Sequence, residues 1–467
     1  MATRKLQPQL KVAMFPLFAV GHITPYIHLS NRLAARGHRV HFLLPGPTTL
    51  AKLAPLNRHP HLITFHPIAV PHVDGLPRGA ETTADVPRHL IPLVFAAMDA
   101  TEDQFRSIAA RVGPLDVVLY DSSMWLPRIG REVGFLTMTY GIVSASVMAL
   151  RLVPSARLAK GMTDEEMAMT PPGYPPQSAV LPRPDEIKQS RIFAEKFGSV
   201  SLYDRIVTSV SGCDAMALRT CWELEGVFVK YVEEQYGKRA FLTGPVLPDL
   251  DLGLGLDEKW AAWLSKYPRG SVLYCAFGSE SLLQKDQFQE LLRGFELCGR
   301  PFLVALKPPE GCATVEEGFP EGFAERVIDG EGGRGLVCGG WVPQLQILDH
   351  PSVGCFVSHC GFGSMWESLL SDCQIVLVPQ QNDQIVGTML MTKDLKVGVE
   401  VEKDEEGWVS KEKLSEAIEM VMDEGSEIGR VVRENHLKLR EVLGDGNLQE
   451  RYVDGFVCQL YDLLEKC

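Results

Sequence analysis

The chain of 467 residues reads as an α/β protein built from two doubly wound parallel sheets. Three observations predict this. The length exceeds what one compact core usually organises and suits two domains of roughly 200 residues each. Short continuous apolar runs alternate with segments of helical period along most of the chain, the pattern of parallel strands joined by crossover helices. The alternation stops at "TGPVLPDLDLGLGLDE" (243–258) and then restarts, so this proline- and glycine-rich stretch is the expected interdomain break.

In the first half, "KVAMFPL" (11–17) reads as a buried strand. Ile23, Ile27, Ser30 and Ala34 then recur at helical spacing, and Gly37 suits the end of that helix. "HRVHFLL" (38–44) and "LITFHPI" (62–68) are the next strands, and 87–111 is a helix. "DVVLYD" (116–121) is a strand ending in a carboxylate, and "FLTMTY" (135–140) is a further one. Residues 154–190 break the pattern with "MTPPGYPPQSAVLPRPDE"; an excursion this long inside a domain is usually a lid or a binding wall. In the second half the strands are "SVLYCAF" (271–277), "PFLVAL" (301–306), "GLVCGGW", "VGCFVSHC" and "QIVLVP", with a helix over 284–298. The expected division is a first domain over 1–245, a linker over 246–258 and a second domain over 259–447. A final helix over 448–467 packs back on the first domain. Two Rossmann-like domains facing each other across a cleft are expected.

Composition narrows the class. Apolar residues at 45% and charged residues at 22% fit a folded protein. A net charge of −13 argues against a nucleic-acid or anionic-membrane binder. All 11 cysteines lie beyond residue 212 and none forms a CxxC pair, which favours reduced thiols over a disulfide scaffold. The start "MATRKLQPQLK" has no signal-peptide apolar region, and no run reaches the ~18 apolar residues of a membrane span. The end "LLEKC" is neither a retention signal nor a prenylation box. A cytoplasmic monomer is expected.

The densest chemistry lies between 341 and 384. In "VSHCGFGSMWES" (357–368) an apolar strand runs into a glycine-rich turn and a helix. Gly361 and Gly363 let the backbone approach a ligand, and Ser364 opens the helix. Unpaired amides and the helix dipole favour phosphate there, and His359 at the strand end can donate to the same phosphate. In "WVPQLQIL" (341–348), Val342 precedes a proline and is extended. Trp341 at a strand end can stack on a base, with Gln344 beside it. Glu367, on the helix that opens at the glycine turn, is the residue type that binds ribose hydroxyls. Asp383 and Gln384, in "PQQNDQ" just past a strand, can read sugar hydroxyls. The order is nucleobase, phosphates, ribose, sugar.

The stretch "WVPQLQILDHPSVGCFVSHCGFGSMWESLLSDCQIVLVPQQNDQ" (341–384) closely resembles the signature box of the plant UDP-sugar-dependent glycosyltransferases of secondary metabolism, in length and in its W–Q–HCG–S–E–DQ framework. The likeness extends over the whole chain, to the N-terminal strand–turn–His start, "FGS" (277–279) and the final helices. It implies a GT-B fold and inverting transfer from a UDP-sugar, glucose favoured, to a small lipophilic acceptor. It implies no metal and no cofactor beyond the donor. On this likeness Trp341 stacks on uracil, with Val342 and Gln344 beside it. His359, Gly361, Gly363, Ser364 and Ser279 meet the diphosphate, Glu367 holds the ribose, and Asp383 and Gln384 hold the sugar. Most members read HCGWNS, whereas this chain has Phe362 and Gly363, so the asparagine amide must be replaced by backbone or water. The HCGFGSMWES variant resembles the subgroup that adds a sugar to a sugar already on a flavonoid or terpenoid. The alternatives are the same chemistry on a bare aglycone, or with UDP-rhamnose or UDP-xylose.

Such a reaction needs a base for the acceptor hydroxyl, and histidine, with an unperturbed pKa near 6.5, suits it. His22 follows the first strand, in the turn leading to the helix, and Asp121 ends "DVVLYD". In a doubly wound sheet such strand ends open on one crevice, so Asp121 can orient His22. His59, His61, His66 and His72 show no metal-ligand pattern and read as loop and strand residues. "DLD" (249–251) is read as part of the linker.

Overall fold

The computed structural model describes residues 8–247, 256–278, 281–328 and 333–466. These form two compact units. The first comprises 8–176, 190–247 and 446–466, and the second comprises 177–189 and 256–445. The expected limits are corrected at one place: residues 177–189, inside the stretch assigned to the first domain, belong to the second unit. Most of the expected linker, and with it "DLD", lies outside the described residues. Val246 at its start is buried in the first unit, with its N–H on Gln449 Oε1 at 2.7 Å.

The first unit carries β1 (Lys11–Phe15), β2 (Arg39–Pro45), β3 (Ile63–Ile68), β4 (Val117–Tyr120) and β5 (Leu136–Gly141). A small antiparallel pair follows, β6 (Lys196–Phe197) and β7 (Val200–Ser201), then β8 (Ala215–Leu218) and β9 (Ala240–Leu242). The large sheet is parallel, in the order β3-β2-β1-β4-β5-β8-β9. Alternate residues feed its two faces. Val12, Met14, Val40, Phe42, Val117 and Leu119 pack with the helix Val20–Ala35 and the C-terminal helix Leu448–Leu464, through Phe456, Val457, Leu460 and Tyr461. Ala13, Phe15, Leu43, Val118 and Tyr120 face a second cluster with Phe95 and Phe105. Strands buried on both faces account for continuous apolar runs rather than alternation.

The second unit repeats the plan. It carries β10 (Val272–Ala276), β11 (Phe302–Ala305), β12 (Gly335–Cys338), β13 (Val353–Ser358), β14 (Gln374–Leu377) and β15 (Val399–Glu400). They form one parallel sheet in the order β12-β11-β10-β13-β14-β15.

Local expectations shift in three places. The helix expected over 87–111 is two helices, Ile91–Asp99 and Glu102–Val112. Buried Thr101 donates its hydroxyl to Met98 O at 2.6 Å between them, a side-chain bond that competes with helix continuation. The strands β8 ("AMAL") and β15 (two residues) escape a sequence reading because they are short and, in β8, lack β-branched residues. The 154–190 excursion is structured, with short helices at Asp164–Met167 and Pro184–Ser190.

Candidate active site

In each unit the strand order reverses once, between β1 and β4 in the first and between β10 and β13 in the second. Loops leaving the carboxyl ends of strands at such a reversal diverge and leave a crevice, the usual ligand site of an open parallel sheet. Each reversal carries a cluster of polar residues.

In the first unit Phe15 pairs with Tyr120 across β1 and β4, so the chain leaves both strands side by side. His22 lies in the first turn of the helix Val20–Ala35, its N–H on Ala19 O at 2.9 Å, and not in the preceding turn as its spacing suggests. Asp121 directly follows β4. His22 Nδ1 hydrogen-bonds Asp121 Oδ2, with the two side chains 27% and 18% exposed. A carboxylate only accepts, so the proton sits on Nδ1 and Nε2 carries the lone pair. Below them Tyr26 donates to Tyr140 O at 3.2 Å. Burial, reinforced by the Asp121 charge, keeps the Tyr26 hydroxyl well above its usual range, so it stays a neutral structural donor.

In the second unit Ala276 of β10 pairs with Ser358 of β13, and Ser358 with Leu377 of β14. The loops after these strands therefore emerge together. His359 follows β13 and is buried. Burial pushes its pKa down to about 4, against the raising effect of the Ala276 carbonyl. It is a neutral donor, not a cation. The ring is held between two glycines: a Cβ at Gly361 would lie 2.5 Å from Nε2, and one at Gly278 2.9 Å from it. Cys360, between His359 and Gly361, adopts φ +60°, the left-handed region that a non-glycine residue rarely enters. Gly361 then caps the helix Phe362–Leu370 without a side-chain cap bond. A Cβ on Gly363 would meet open space.

Gln344, Ser364 and Glu367 come together. Gln344 Nε2 donates to Ser364 Oγ at 3.1 Å and to Glu367 Oε2, while its Oε1 accepts from the buried Tyr274 hydroxyl at 3.2 Å. Gln344 thus orients the carboxylate. Trp341 is 87% exposed on the loop after β12, and Val342 beside it is buried. Asp383 and Gln384 lie in the first turn of the helix Asn382–Met389. Gln384 is buried, and its Oε1 accepts from Gln380 N at 2.8 Å and Gln381 N at 3.1 Å. Its carbonyl is thereby used in the helix's own capping box, which leaves its amide hydrogens for other partners. Ser279 lies outside the described residues. Tyr274, Gly278 and Cys360 were not singled out from sequence. The glycine of "FGS" was the one signal for the His359 cradle, and Tyr274 reads as an ordinary buried strand residue. Among the described residues no cluster of three or more His, Cys, Asp or Glu side chains offers a metal site, and no helix is long and apolar enough to cross a membrane.

A family profile described as UDP-glucoronosyl and UDP-glucosyl transferase matches residues 333–447. The anthocyanidin 3-O-glucoside 2'''-O-xylosyltransferase of Arabidopsis thaliana is 51% identical over 463 residues, 98% of this chain and 97% of that protein. UDP-glycosyltransferase 79B3 of Arabidopsis thaliana is 48% identical over 455 residues, 97% of each. Among solved structures, that of Glycyrrhiza uralensis UGT73P12 complexed with glycyrrhetinic acid 3-O-monoglucuronide has a TM-score of 0.78 at 23% identity, covering 98% of this chain and 97% of that one. The structural likeness carries the fold, GT-B, and the sequence likeness carries the family: this chain belongs to the UDP-glycosyltransferases and is an enzyme of that class.

Proposed function

We propose that this enzyme transfers a sugar from a UDP-sugar to a sugar hydroxyl of a flavonoid glycoside, with inversion, as a cytoplasmic monomer. The observation that carries the mechanism is the His22–Asp121 pair at the reversal of the first sheet. The acceptor class rests on the 51% relative, named for a glucoside acceptor, and on the HCGFGSMWES variant of the donor box.

The roles divide between the units. In the first, His22 Nε2 takes the proton of the acceptor hydroxyl as that oxygen forms its bond to the anomeric carbon. Asp121 holds the tautomer and stabilises the imidazolium that results. The bond from the anomeric carbon to the diphosphate oxygen breaks in the same displacement, and UDP leaves with the electron pair. In the second unit the amides opening the helix Phe362–Leu370 and the neutral His359 meet the diphosphate charge. Trp341 stacks on uracil, and Glu367, aimed by Gln344, accepts from the ribose hydroxyls. Asp383 accepts from the sugar hydroxyls, and Gln384, with its carbonyl already used, donates to one.

Two donors are put forward. The Asp383–Gln384 pair favours UDP-glucose, and the name of the 51% relative favours UDP-xylose. UDP-glucose, UDP-xylose and UDP-rhamnose assayed with an anthocyanidin 3-O-glucoside and with its aglycone decide both points. Turnover of the aglycone in preference to the glucoside would remove the sugar-on-sugar reading.

A further inference from the structure

We propose that residues 178–183 clamp the donor-sugar segment 379–394, with Ser178 and Arg183 as positioning residues for sugar recognition; this rests on the reading that Asp383 and Gln384 meet the sugar. The segment starts at Pro379, continues through the helix Asn382–Met389, and ends in a π-helical turn, Leu390–Asp394. A π-turn interrupts the regular bond pattern and often marks a functional site.

Residues 178–183 hold its far end directly and, beside its start, the strand residue Glu400. At the far end Ser178 Oγ donates to Asp394 Oδ2 at 2.8 Å, and Ala179 N donates to Asp394 Oδ1 at 2.6 Å. The carboxylate is gripped through both oxygens by a stretch 216 and 215 positions away in the chain. At the near end the Arg183 guanidinium forks onto Glu400, Nη1 to Oε2 at 2.7 Å and Nη2 to Oε1. It also holds Asp185 at 2.7 and 2.8 Å. Glu400 pairs with Leu377 across β15 and β14, just before the sugar loop. Lys403, three residues further on, donates Nζ to Pro379 O.

Arg183, Lys403, Asp185 and Glu400 make a balanced quartet of two positive and two negative charges. Burial depresses the Lys403 ammonium, the Glu400 and Asp185 charges oppose this, and Arg183 acts in the same sense as burial. Removing the guanidinium leaves Lys403 facing two carboxylates, which draws its ammonium away from the Pro379 carbonyl and releases the start of the sugar loop. The nucleotide side of the site, Trp341, Gln344 and Glu367, shares none of these bonds. The clamp therefore acts on the sugar and not on UDP.

The test is steady-state kinetics of Arg183→Met and Ser178→Ala with UDP-glucose and UDP-xylose, and inhibition by UDP alone. Arg183→Met is expected to raise KM for the preferred donor by about tenfold, the worth of one aligned charge-assisted bond, and to narrow the preference between donors. Ser178→Ala should do the same to a lesser degree, and UDP inhibition should be unchanged in both. Arg183→Lys should restore little, because an ammonium cannot fork onto Glu400. If Arg183→Met fails to fold, Ser178→Ala, which deletes one hydroxyl, carries the same readouts. Asp383→Ala is measured alongside. The clamp is overturned if Asp383→Ala shifts the donor preference while the folded clamp variants leave KM and preference as in the unmodified enzyme. If Asp383→Ala itself leaves the preference unchanged, the sugar reading beneath the clamp falls, and the clamp with it.

Discussion

His22 and Asp121, 99 positions apart, are joined through Nδ1 and Oδ2 because β1 and β4 are neighbours in the sheet. The bond fixes which ring nitrogen bears hydrogen. His22→Ala should lower kcat by roughly 10²- to 10⁴-fold, the usual worth of a general base, and leave UDP inhibition intact. Asp121→Asn should be at least as damaging as Asp121→Ala. Its amide can donate to Nδ1, which moves the proton to Nε2 and leaves no base. An Asp121→Asn enzyme turning over at close to the normal rate would sink the assignment.

Trp341 is 87% exposed, so its removal costs the fold little. Trp341→Ala should melt with the unmodified enzyme yet bind UDP more weakly by about 1–3 kcal/mol, the worth of one base–aromatic stack. Titration calorimetry with UDP checks this, and an unchanged Kd would place the uracil elsewhere.

Gly361, which caps the helix Phe362–Leu370, and Gly363, inside its first turn, should respond differently. Gly361→Ala sets a Cβ 2.5 Å from His359 Nε2 and should cost both stability and donor binding. Gly363→Asn enters open space and replaces a poor helix former, so its melting temperature should not fall. Thermal melts of the pair, side by side, are the measurement.

Stability should decline as pH drops below 6.5. Burial, aided by Arg219, Arg58 and Arg32, takes His28 down to about 3. Burial likewise takes His66 and His359 down to about 4. The unfolded chain protonates all three near 6.5, so between pH 6.5 and 4 it binds more protons than the folded one, and acid favours unfolding. Each histidine contributes up to about 1.4 kcal/mol per pH unit over that range. Urea midpoints should therefore be lower at pH 5 than at pH 7, and His28→Gln should flatten the difference. A midpoint indifferent to pH would contradict the burial of these rings.

Chelator should leave the rate unchanged, because helix amides and His359 are assigned to the leaving diphosphate. Assay in EDTA against added Mg²⁺ tests it, and a rate restored only by the metal would require a different account of the leaving group.

Much of this was readable from residue order. The apolar runs that became β1, β4, β10, β13 and β14 are buried on both faces and announce themselves without alternation. The box from Trp341 to Gln384 is nearly contiguous, so its spacing survives in one dimension. What was not readable depends on partners distant in the chain. Gln344 reads as a ligand contact from its spacing, and in the fold its amide also holds Glu367 and Ser364 while Tyr274 of β10 donates to its carbonyl, a set of partners that spacing does not announce. His66 appeared as a plain strand residue, yet its Nε2 lies 3.1 Å from His41 Nδ1 on the adjacent strand. Residues 177–189 looked like part of a first-domain wall, because nothing local says that Asp394 and Glu400 will receive Ser178 and Arg183.

Gln384 carries a consequence for how such an enzyme can change over evolution. Its carbonyl caps the helix on which it stands, so a mutation that alters its hydrogen-bonding character also loosens its own support. With the sugar contact proposed for Gln384, fold maintenance and sugar choice compete for one side chain, and drift at this position is restrained even when selection on the donor is relaxed. Asp383, one residue earlier, lies outside this capping box. New donor preferences are therefore expected to arise through Asp383 and the surrounding loop, with Gln384 kept as an inherited constant.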